Sequence, residues 1–359
     1  MRPKWIGSSA MDANISSISI GIFAHNEENN ILATMESLAS QDLFHLPQFS
    51  NTSVTVSVIA NGCTDATVQV TSDYLKKQSS FDGRVIEISK AGKSHAWNKF
   101  VHSPKFSDVD YFVCMDSDIR FGCNTVISTL INCLSCDDEA YLVVDVAKKD
   151  TELKTHKTPF ERTSLLFSRL MKQGSTAVAG SLYCAKGDML RRVHMPVGLP
   201  VEDGFLRAML VTDLFTQQDN SKRILVVDNV CHYFTPDDSL RTLFRHEERL
   251  LVGTFINSVI YGYLWSQVQK TNLDAGTLVF EKNNNEKKWV NTLINQYRID
   301  HDRMIPKHFY YKYWQRWQTL GTGLKIFSFP LIIIATLTKY YLLKKVERRL
   351  AQESGLGYW

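Results

Sequence analysis

Several protein classes are excluded by what this 359-residue chain lacks. No apolar run approaches the roughly 20 residues that a helix needs to cross a bilayer. The net charge is only +4, too small for a dedicated nucleic-acid binder. The cysteines are few and odd in number, seven, without the spacing of a disulfide framework, which suits reduced thiols in a cytosol. Met1 to Ser17 contains no apolar stretch, so no secretory leader is expected. Without secretion, the glycosylation patterns Asn14-Ile15-Ser16 and Asn51-Thr52-Ser53 carry no meaning. The Gly-x-x-x-x-Gly-Lys spacing of a P-loop is also absent. What remains is an ordinary globular balance, 44% hydrophobic and 22% charged, with room for one large domain and an appendage.

The most informative stretch is Asp110-Tyr111-Phe112-Val113-Cys114-Met115-Asp116-Ser117-Asp118. Its apolar run reads as a short buried strand that ends in two carboxylates one residue apart. In open α/β sheets the C-terminal edge is where ligands bind. Paired carboxylates there suit a hard divalent cation, and the cation suits a nucleotide diphosphate. Taken alone, Asp-Ser-Asp is equally a common turn composition.

The flanking chain supplies context. Ile18, Ile20 and Ile22 alternate with Ser19 and Gly21, a strand that stops at Ala24-His25-Asn26-Glu27-Glu28. A helix is expected next, with Ile31, Leu32, Met35 and Leu38 on one face, Asn26 or Asn29 as its cap and the glutamates in its first turn. Val54 to Ala60 reads as a second strand, broken by Asn61-Gly62-Cys63-Thr64-Asp65, and Val68 to Lys77 as helix. Arg84 to Ile88 is a weaker strand, and the turn Lys90 to Lys93 opens a helix whose lysine suits phosphate. Strand and helix alternating at this spacing predict a largely parallel sheet with a nucleotide crevice. Further on, strands are expected at Tyr141 to Ala147, Gly180 to Cys184 and Ile224 to Val230. Lys148 to Thr158 reads as a loop, and Phe205 to Leu214 and Ser239 to Leu251 as helices.

These residues carry a resemblance to family 2 glycosyltransferases of the GT-A fold, inverting and non-processive in type. Asn26-Glu27 ends the first strand, Gly62 to Asp65 follows the second, and Gly92-Lys93 makes the basic turn. Asp116 to Asp118 is the Asp-x-Asp, Glu202-Asp203 opens a helix, and His246-Glu247-Glu248-Arg249-Leu250 with Gly253 closes the set. The resemblance covers roughly residues 18 to 253. It implies an α/β, Rossmann-like, mainly parallel mixed sheet flanked by helices. It also implies a catalytic domain at 1–253, with a nucleotide-sugar half near 18–120 and an acceptor half near 121–253.

The same resemblance implies residue roles. Ala24, Asn26, Glu27, Asn61, Lys93, Asp116, Ser117, Glu202 and Arg249 would line the nucleotide-sugar site. Asn61 stands where the family has an aspartate facing the base, which bears on a uridine donor. Asp118 would hold Mn²⁺ or Mg²⁺, with His232 as a further metal or phosphate contact. A lone histidine after a strand is otherwise a packed residue. Asp203 would be the general base on the acceptor hydroxyl, opposite the leaving diphosphate. Processive relatives carry Gln-x-x-Arg-Trp where this chain has His246 to Leu250, so transfer of one sugar rather than a polymer is expected.

The remaining stretch, 254–359, is expected to be a helical appendage. Phe255 to Trp265 is apolar and aromatic, and Lys282 to Lys288 reads as a loop or linker. Lys307 to Trp317 mixes aromatic with basic residues, Ile326 to Thr338 is apolar with Pro330 inside, and Lys339, Lys344, Lys345, Arg348 and Arg349 follow. That order describes an interfacial anchor at the cytoplasmic face of a membrane, with a lipid-linked or membrane-borne acceptor such as envelope or glycolipid synthesis would use. The other readings of the tail are a helix packed on the catalytic domain or a homodimer contact. No nucleic-acid partner is expected.

Two rival functions keep the motifs. A nucleotidyltransferase of related fold normally has a Gly-rich, Arg-bearing loop after its first strand, where this chain has the acidic His25 to Glu28. A non-catalytic nucleotide-sugar-binding assembly protein has no need of Asp116, Asp118 and Asp203 together. An anchor that stands apart from the catalytic domain predicts that cutting after about Gly323 leaves a folded chain. The melting temperature of that truncation separates an anchor from a packed helix.

Overall fold

The computed structural model describes residues 15–171, 180–236, 239–301, 305 and 308–352. Met1 to Asn14, where most of the leader reading and the first glycosylation asparagine fall, and Lys307 lie outside the described residues.

The first half alternates as the sequence pattern predicts. Its elements are β1 (Ser17–Ala24), α1 (Ile31–Ala39), β2 (Ser53–Asn61), α2 (Thr67–Leu75), β3 (Asp82–Ile88), α3 (Lys93–Val101), β4 (Tyr111–Asp116), β5 (Ile119–Phe121) and α4 (Val126–Ser135). There follow β6 (Leu142–Lys149), α5 (Pro159–Met171), β7 (Leu182–Lys186), α6 (Gly187–Arg192), α7 (Glu202–Val211) and β8 (Ile224–Phe234). Helices complete the chain: α8 (Leu240–Thr271), α9 (Ala275–Asn285), α10 (Trp289–Asp300), α11 (His308–Gln318) and α12 (Thr322–Gln352).

All eight strands form one mixed sheet in the order β3-β2-β1-β4-β7-β6-β8-β5. The β1–β2, β2–β3, β1–β4 and β6–β8 pairs are parallel, and the β4–β7, β6–β7 and β5–β8 pairs are antiparallel. The central parallel strands β1, β2 and β4 are buried on both faces along most of their length, which is why Val56, Val58, Ile59 and Ala60 can lie so close together with little polar relief. One apolar cluster lies around α3, α7 and α8, and a second around α1 and α4. This is the α/β GT-A arrangement with a helical C-terminal region. β1, β2 and β4 end on one edge, so the motifs at their ends meet there.

Several expectations are corrected. Leu32 is 40% exposed, because α1 buries Ile31, Thr34, Met35 and Leu38 instead. Asn30, not Asn26 or Asn29, precedes α1, and its side chain turns back to Glu27 Oε2 at 2.8 Å. β6 runs on to Lys149, two residues into the stretch read as loop. Part of the expected loop at Lys282 to Lys288 is helical, in α9, whose N-cap Asp274 accepts from Thr277 N. Residue 253 lies inside α8, an unbroken 32-residue helix, so the chain has no break at the expected domain boundary. Cys133 and Cys136 stand in a Cys-x-x-Cys spacing at the end of α4, and both are free thiols.

The tail is packed, contrary to a detached anchor. Leu342, Leu343, Val346 and Leu350 of α12 join the larger core cluster. Glu248 of α8, 4% exposed, lies 2.7 Å from Lys345 Nζ and 3.6 Å from Arg349 Nη1. Truncation after Gly323 would uncover this apolar surface and strand a buried carboxylate.

Gly253 sets how closely α8 approaches the loop before α7. A Cβ there would lie 3.0 Å from Val201 N and well inside contact with the Val201 side chain. Val201 immediately precedes Glu202 and Asp203. Gly253→Ala is therefore expected to cost about 1–3 kcal/mol from overpacking. Urea unfolding measures that loss, and an unchanged midpoint would remove Gly253 from the placement of α7.

Candidate active site

The turns after β1 and β2 are stitched together. Asn26, in the left-handed region at φ 57°, accepts at Oδ1 from Thr64 N at 2.7 Å. His25 Nδ1 meets the Asn61 carbonyl at 2.7 Å, and Glu27 N donates to Thr67 Oγ1 at 2.8 Å. Glu28 Oε2 accepts from Ala66 N at 2.9 Å, while Asp65 accepts from Glu28 N at 3.1 Å. Ala24 is buried at the end of β1. Asn61 is also buried, and its Oδ1 accepts from Gly92 N at 2.7 Å. In this structure it braces the turn before α3 rather than lying open in the crevice.

Lys93 opens α3 and reaches the centre of the site. Its Nζ lies 2.5 Å from Asp116 Oδ1 and 3.0 Å from Glu202 Oε1, with the Gly180 carbonyl at 3.4 Å. Burial by itself would lower its pKa. The two carboxylates outweigh that burial and hold the ammonium charged well above its ordinary range. Lys93 thus spans the strand that carries the Asp-x-Asp and the helix that carries Glu202 and Asp203.

The Asp-x-Asp residues divide their tasks. Asp116 takes Lys93, and its backbone N donates to the Ser181 carbonyl at 2.9 Å. Ser117 is buried, and its carbonyl accepts from Thr34 Oγ1 at 2.7 Å. Asp118 is left facing other carboxylates. Burial first, then the charges of Asp116 and Glu27, push it up to about 6. Burial and Asp116 likewise raise Glu27, against the Asn30 hydrogen bond. This corner has surplus negative charge, the chemistry that a hard cation relieves. Among the described residues, no group of three His, Cys, Asp or Glu side chains could hold an ion unaided.

Asp203 lies across the Lys93 bridge, in the first turn of α7. Burial, then Glu202, raises its pKa, while the Gly204 amide, Lys93 and Arg249 pull the other way. Arg249 of α8 is thereby placed within electrostatic reach of Asp203. Tyr261 donates to the Gly204 carbonyl at 2.7 Å, and Asn257 Nδ2 to the Val201 carbonyl at 2.9 Å, so α8 holds both sides of the Glu202-Asp203 pair. A small cavity of about 10 Å³ is lined by Lys93, Glu202 and Asp203, with a floor that includes Phe23, Trp97 and Tyr183. Trp97 Nε1 donates to Tyr183 Oη at 2.6 Å beneath it.

His232 is not an open ligand in this structure. It is fully buried in β8, with Nδ1 2.7 Å from Asp145 Oδ1 and Nε2 2.8 Å from Ser181 Oγ. Both ring nitrogens are held by protein side chains, so a metal or phosphate contact by His232 would require one of them to be exchanged. β8 runs beside β6, so His232 meets Asp145, and the β7 entry brings Ser181.

Thr64, Thr67, Trp97, Tyr183, Ser181, Asn257 and Tyr261 were missed by the sequence reading. Thr64 and Thr67 were findable, because they flank the Asp65 turn. The others act through contacts far apart in sequence and left no local signal.

An α/β sheet with an acidic corner at its strand ends, a bridging lysine and a separate buried aspartate defines an enzyme site of GT-A type. Residues 19–193 match the family described as Glycosyl transferase family 2. The fold of the chain is similar to mannosyltransferase PcManGT from Pyrobaculum calidifontis, in complex with GDP-Man and Mn²⁺, at TM-score 0.53 and 13% identity over 93% of this chain and 86% of that one. It is also similar, at TM-score 0.46 and 19% identity over 72% and 85%, to glucosyl-3-phosphoglycerate synthase from Mycobacterium tuberculosis in complex with Mn²⁺, UDP and glucosyl-3-phosphoglycerate. No curated protein matches the chain.

The strained acidic corner has a measurable consequence. Asp118 ionises near 6 when folded and near 4 when unfolded. Between those values the folded chain holds a proton that the unfolded chain has lost, so this group's contribution to stability falls as pH rises through the window. Asp118→Asn is expected to stabilise the metal-free protein at pH 7 by about 1–2 kcal/mol and to flatten that window. Urea unfolding at pH 5 and pH 7 tests this. A variant less stable than the parent at pH 7 would refute the strain.

Proposed function

We propose that this enzyme moves one sugar, with inversion, from a nucleoside-diphosphate sugar to a hydroxyl of a lipid-linked or otherwise membrane-borne acceptor. The observation that carries the reading is Lys93. Its ammonium joins Asp116 to Glu202 and so stands between the acidic corner and Asp203, beside the cavity that Lys93, Glu202 and Asp203 line. An inverting displacement needs this separation: a carboxylate for the incoming hydroxyl, and charge neutralisation for the outgoing diphosphate.

In this proposal the turns at Ala24, Asn26, Glu27 and Asn61 receive the nucleoside. Asp116 and Ser117 face the ribose and sugar, and Lys93 with Arg249 meets the diphosphate. Asp118 would hold Mn²⁺ or Mg²⁺, and the ion would supply charge neutralisation for the departing diphosphate. One or two carboxylates with donor phosphates suffice for such an ion, in keeping with the lack of a ready-made three-ligand group. His232 joins it only by exchanging Ser181 for the ion, and Asp145 already holds the ring from its far side. Asp203 takes the acceptor proton. Its raised pKa makes it a better base at neutral pH than an ordinary aspartate. The neighbours bear GDP-Man and UDP, so the donor base is settled by thermal stabilisation with UDP- and GDP-sugars in Mn²⁺.

Asp203→Asn is expected to keep donor binding and to lose transfer by ~10²–10⁴-fold. In the parent, transfer should fall as acid protonates Asp203, and the residual rate of the variant should lack that limb. Transfer near the parent rate would dismiss Asp203 as the base. Asp118→Ala is expected to lose Mn²⁺-dependent donor binding while remaining folded.

A further inference from the structure

α11 and α12 run side by side in opposite directions. Tyr310 lies 5.7 Å from Tyr340 and Trp317 lies 5.5 Å from Phe329, ring centre to ring centre, and Trp317 Nε1 donates to the Lys325 carbonyl at 3.1 Å. The inner side of α12 is core: Ile332, Leu342, Leu343 and Val346 are buried. A helix packed on one side normally turns polar residues to water on the other. This one does not. Ile326, Ile334 and Leu337 are 75%, 62% and 65% exposed. They recur at helical spacing on a continuous outer stripe.

The stripe changes character along its length. Beyond Leu337 it presents Tyr340 and Tyr341, both exposed, and beyond those Lys344 and Arg348, also exposed. At the other end Lys325 Nζ sits 5.9 Å from the centre of the Trp317 ring. Aliphatic residues bounded by tyrosines and cations, in that order, are what a helix lying in a membrane interface presents, its apolar face to the acyl boundary and its charges to the phosphates. A second copy of the chain supplies no reason for that order, because a self-complementary patch gains nothing from a cationic end. The aliphatic part from Ile326 to Leu337 spans about 16 Å at 1.5 Å per residue, too short to cross the hydrocarbon layer. Among the described residues no helix is long and apolar enough to cross a membrane.

We propose that the outer stripe of α12 docks in the plane of an anionic membrane surface. The aliphatic side chains enter the acyl boundary, Tyr340 and Tyr341 lie at the interface, and Lys344 and Arg348 meet lipid phosphates. The docking is rigid with respect to the active site. Lys345 and Arg349, one turn apart on α12, grip Glu248 of α8. The next residue, Arg249, acts electrostatically on Asp203. The membrane helix and the helix that presents Arg249 therefore share one buried ion-pair anchor, which fixes the catalytic cleft relative to the headgroup layer. The consequence for the acceptor, a hydroxyl offered from that layer, rests on the glycosyl-transfer reading.

The test uses the full chain and co-sedimentation with vesicles of phosphatidylcholine, alone or with phosphatidylglycerol. The parent should sediment with the mixed vesicles, less with the neutral ones, and less as salt rises. Ile334→Glu with Leu337→Glu alters only exposed positions of the stripe. It should reduce vesicle binding about tenfold or more while melting temperature and Mn²⁺-dependent binding of UDP-glucose or GDP-mannose stay as in the parent. Arg348→Glu should lower affinity by about fivefold for the mixed vesicles and hardly at all for the neutral ones. A parent that sediments with neither vesicle, or a double variant that binds as the parent does, overturns the proposal. So does a parent that is a dimer in the ultracentrifuge and ignores vesicles, and that the double variant converts to a monomer. That result assigns the stripe to a second copy. Loss of nucleotide-sugar binding by the parent with vesicle binding intact would sink the glycosyl-transfer reading and leave the docking surface standing.

Discussion

The site depends on one ammonium group set between two carboxylates. Lys93 has 18% of its side chain exposed, and a charge so placed is tolerated only when paired. Asp116 stands at the end of β4, Glu202 at the start of α7, and Lys93 at the start of α3, so one charge cluster ties three elements together. Gly92 makes the approach possible. Its φ of 146° and the hydrogen bond its N–H donates to Asn61 Oδ1 turn the chain sharply into α3. The bridge also aligns the strand-end edge of the sheet with the helix that bears Asp203.

The rest of the site is arranged around charges that Lys93 does not neutralise. Glu27 and Asp118 both sit above the ordinary carboxylate range, because burial and mutual repulsion act in the same direction. Asp203 is raised as well, but Arg249 and the Gly204 amide restrain it. Two groups of carboxylates with different partners are therefore joined through Lys93. Strain that the fold bears in the absence of ligand is common at functional sites.

The C-terminal helices reconcile two readings that the sequence left as rivals. α12 is packed on its inner side and apolar on its outer side, so neither a free anchor nor a buried helix describes it. Its basic end is divided the same way. Lys345 and Arg349 turn inward to Glu248, while Arg348 stays on the surface. The alternation follows from the helical repeat, which sends neighbouring residues to different faces.

Local pattern was enough for the strands at Ile18 to Ile22 and Val54 to Ala60, for the turns that follow them, and for the order of the acidic and basic motifs. Each depends on backbone preference and on a period of a few residues, which neighbours in sequence determine. Partners distant in sequence decided the rest. Lys93 read as a phosphate contact, and only the fold shows it bridging Asp116 and Glu202. His232 read either as a further metal or phosphate contact or as a packed residue after a strand. It is buried because β8 extends past it beside β6, where Asp145 and Ser181 complete its hydrogen bonds. Leu32 and the boundary at 253 were misplaced for the same reason. Which face of a helix is covered, and whether a helix continues, depends on what packs against it. Hydrophobic burial and charge pairing act through space, so the chain alone specified the elements and their chemistry, while the tertiary structure decided which charges meet and which are left to a ligand.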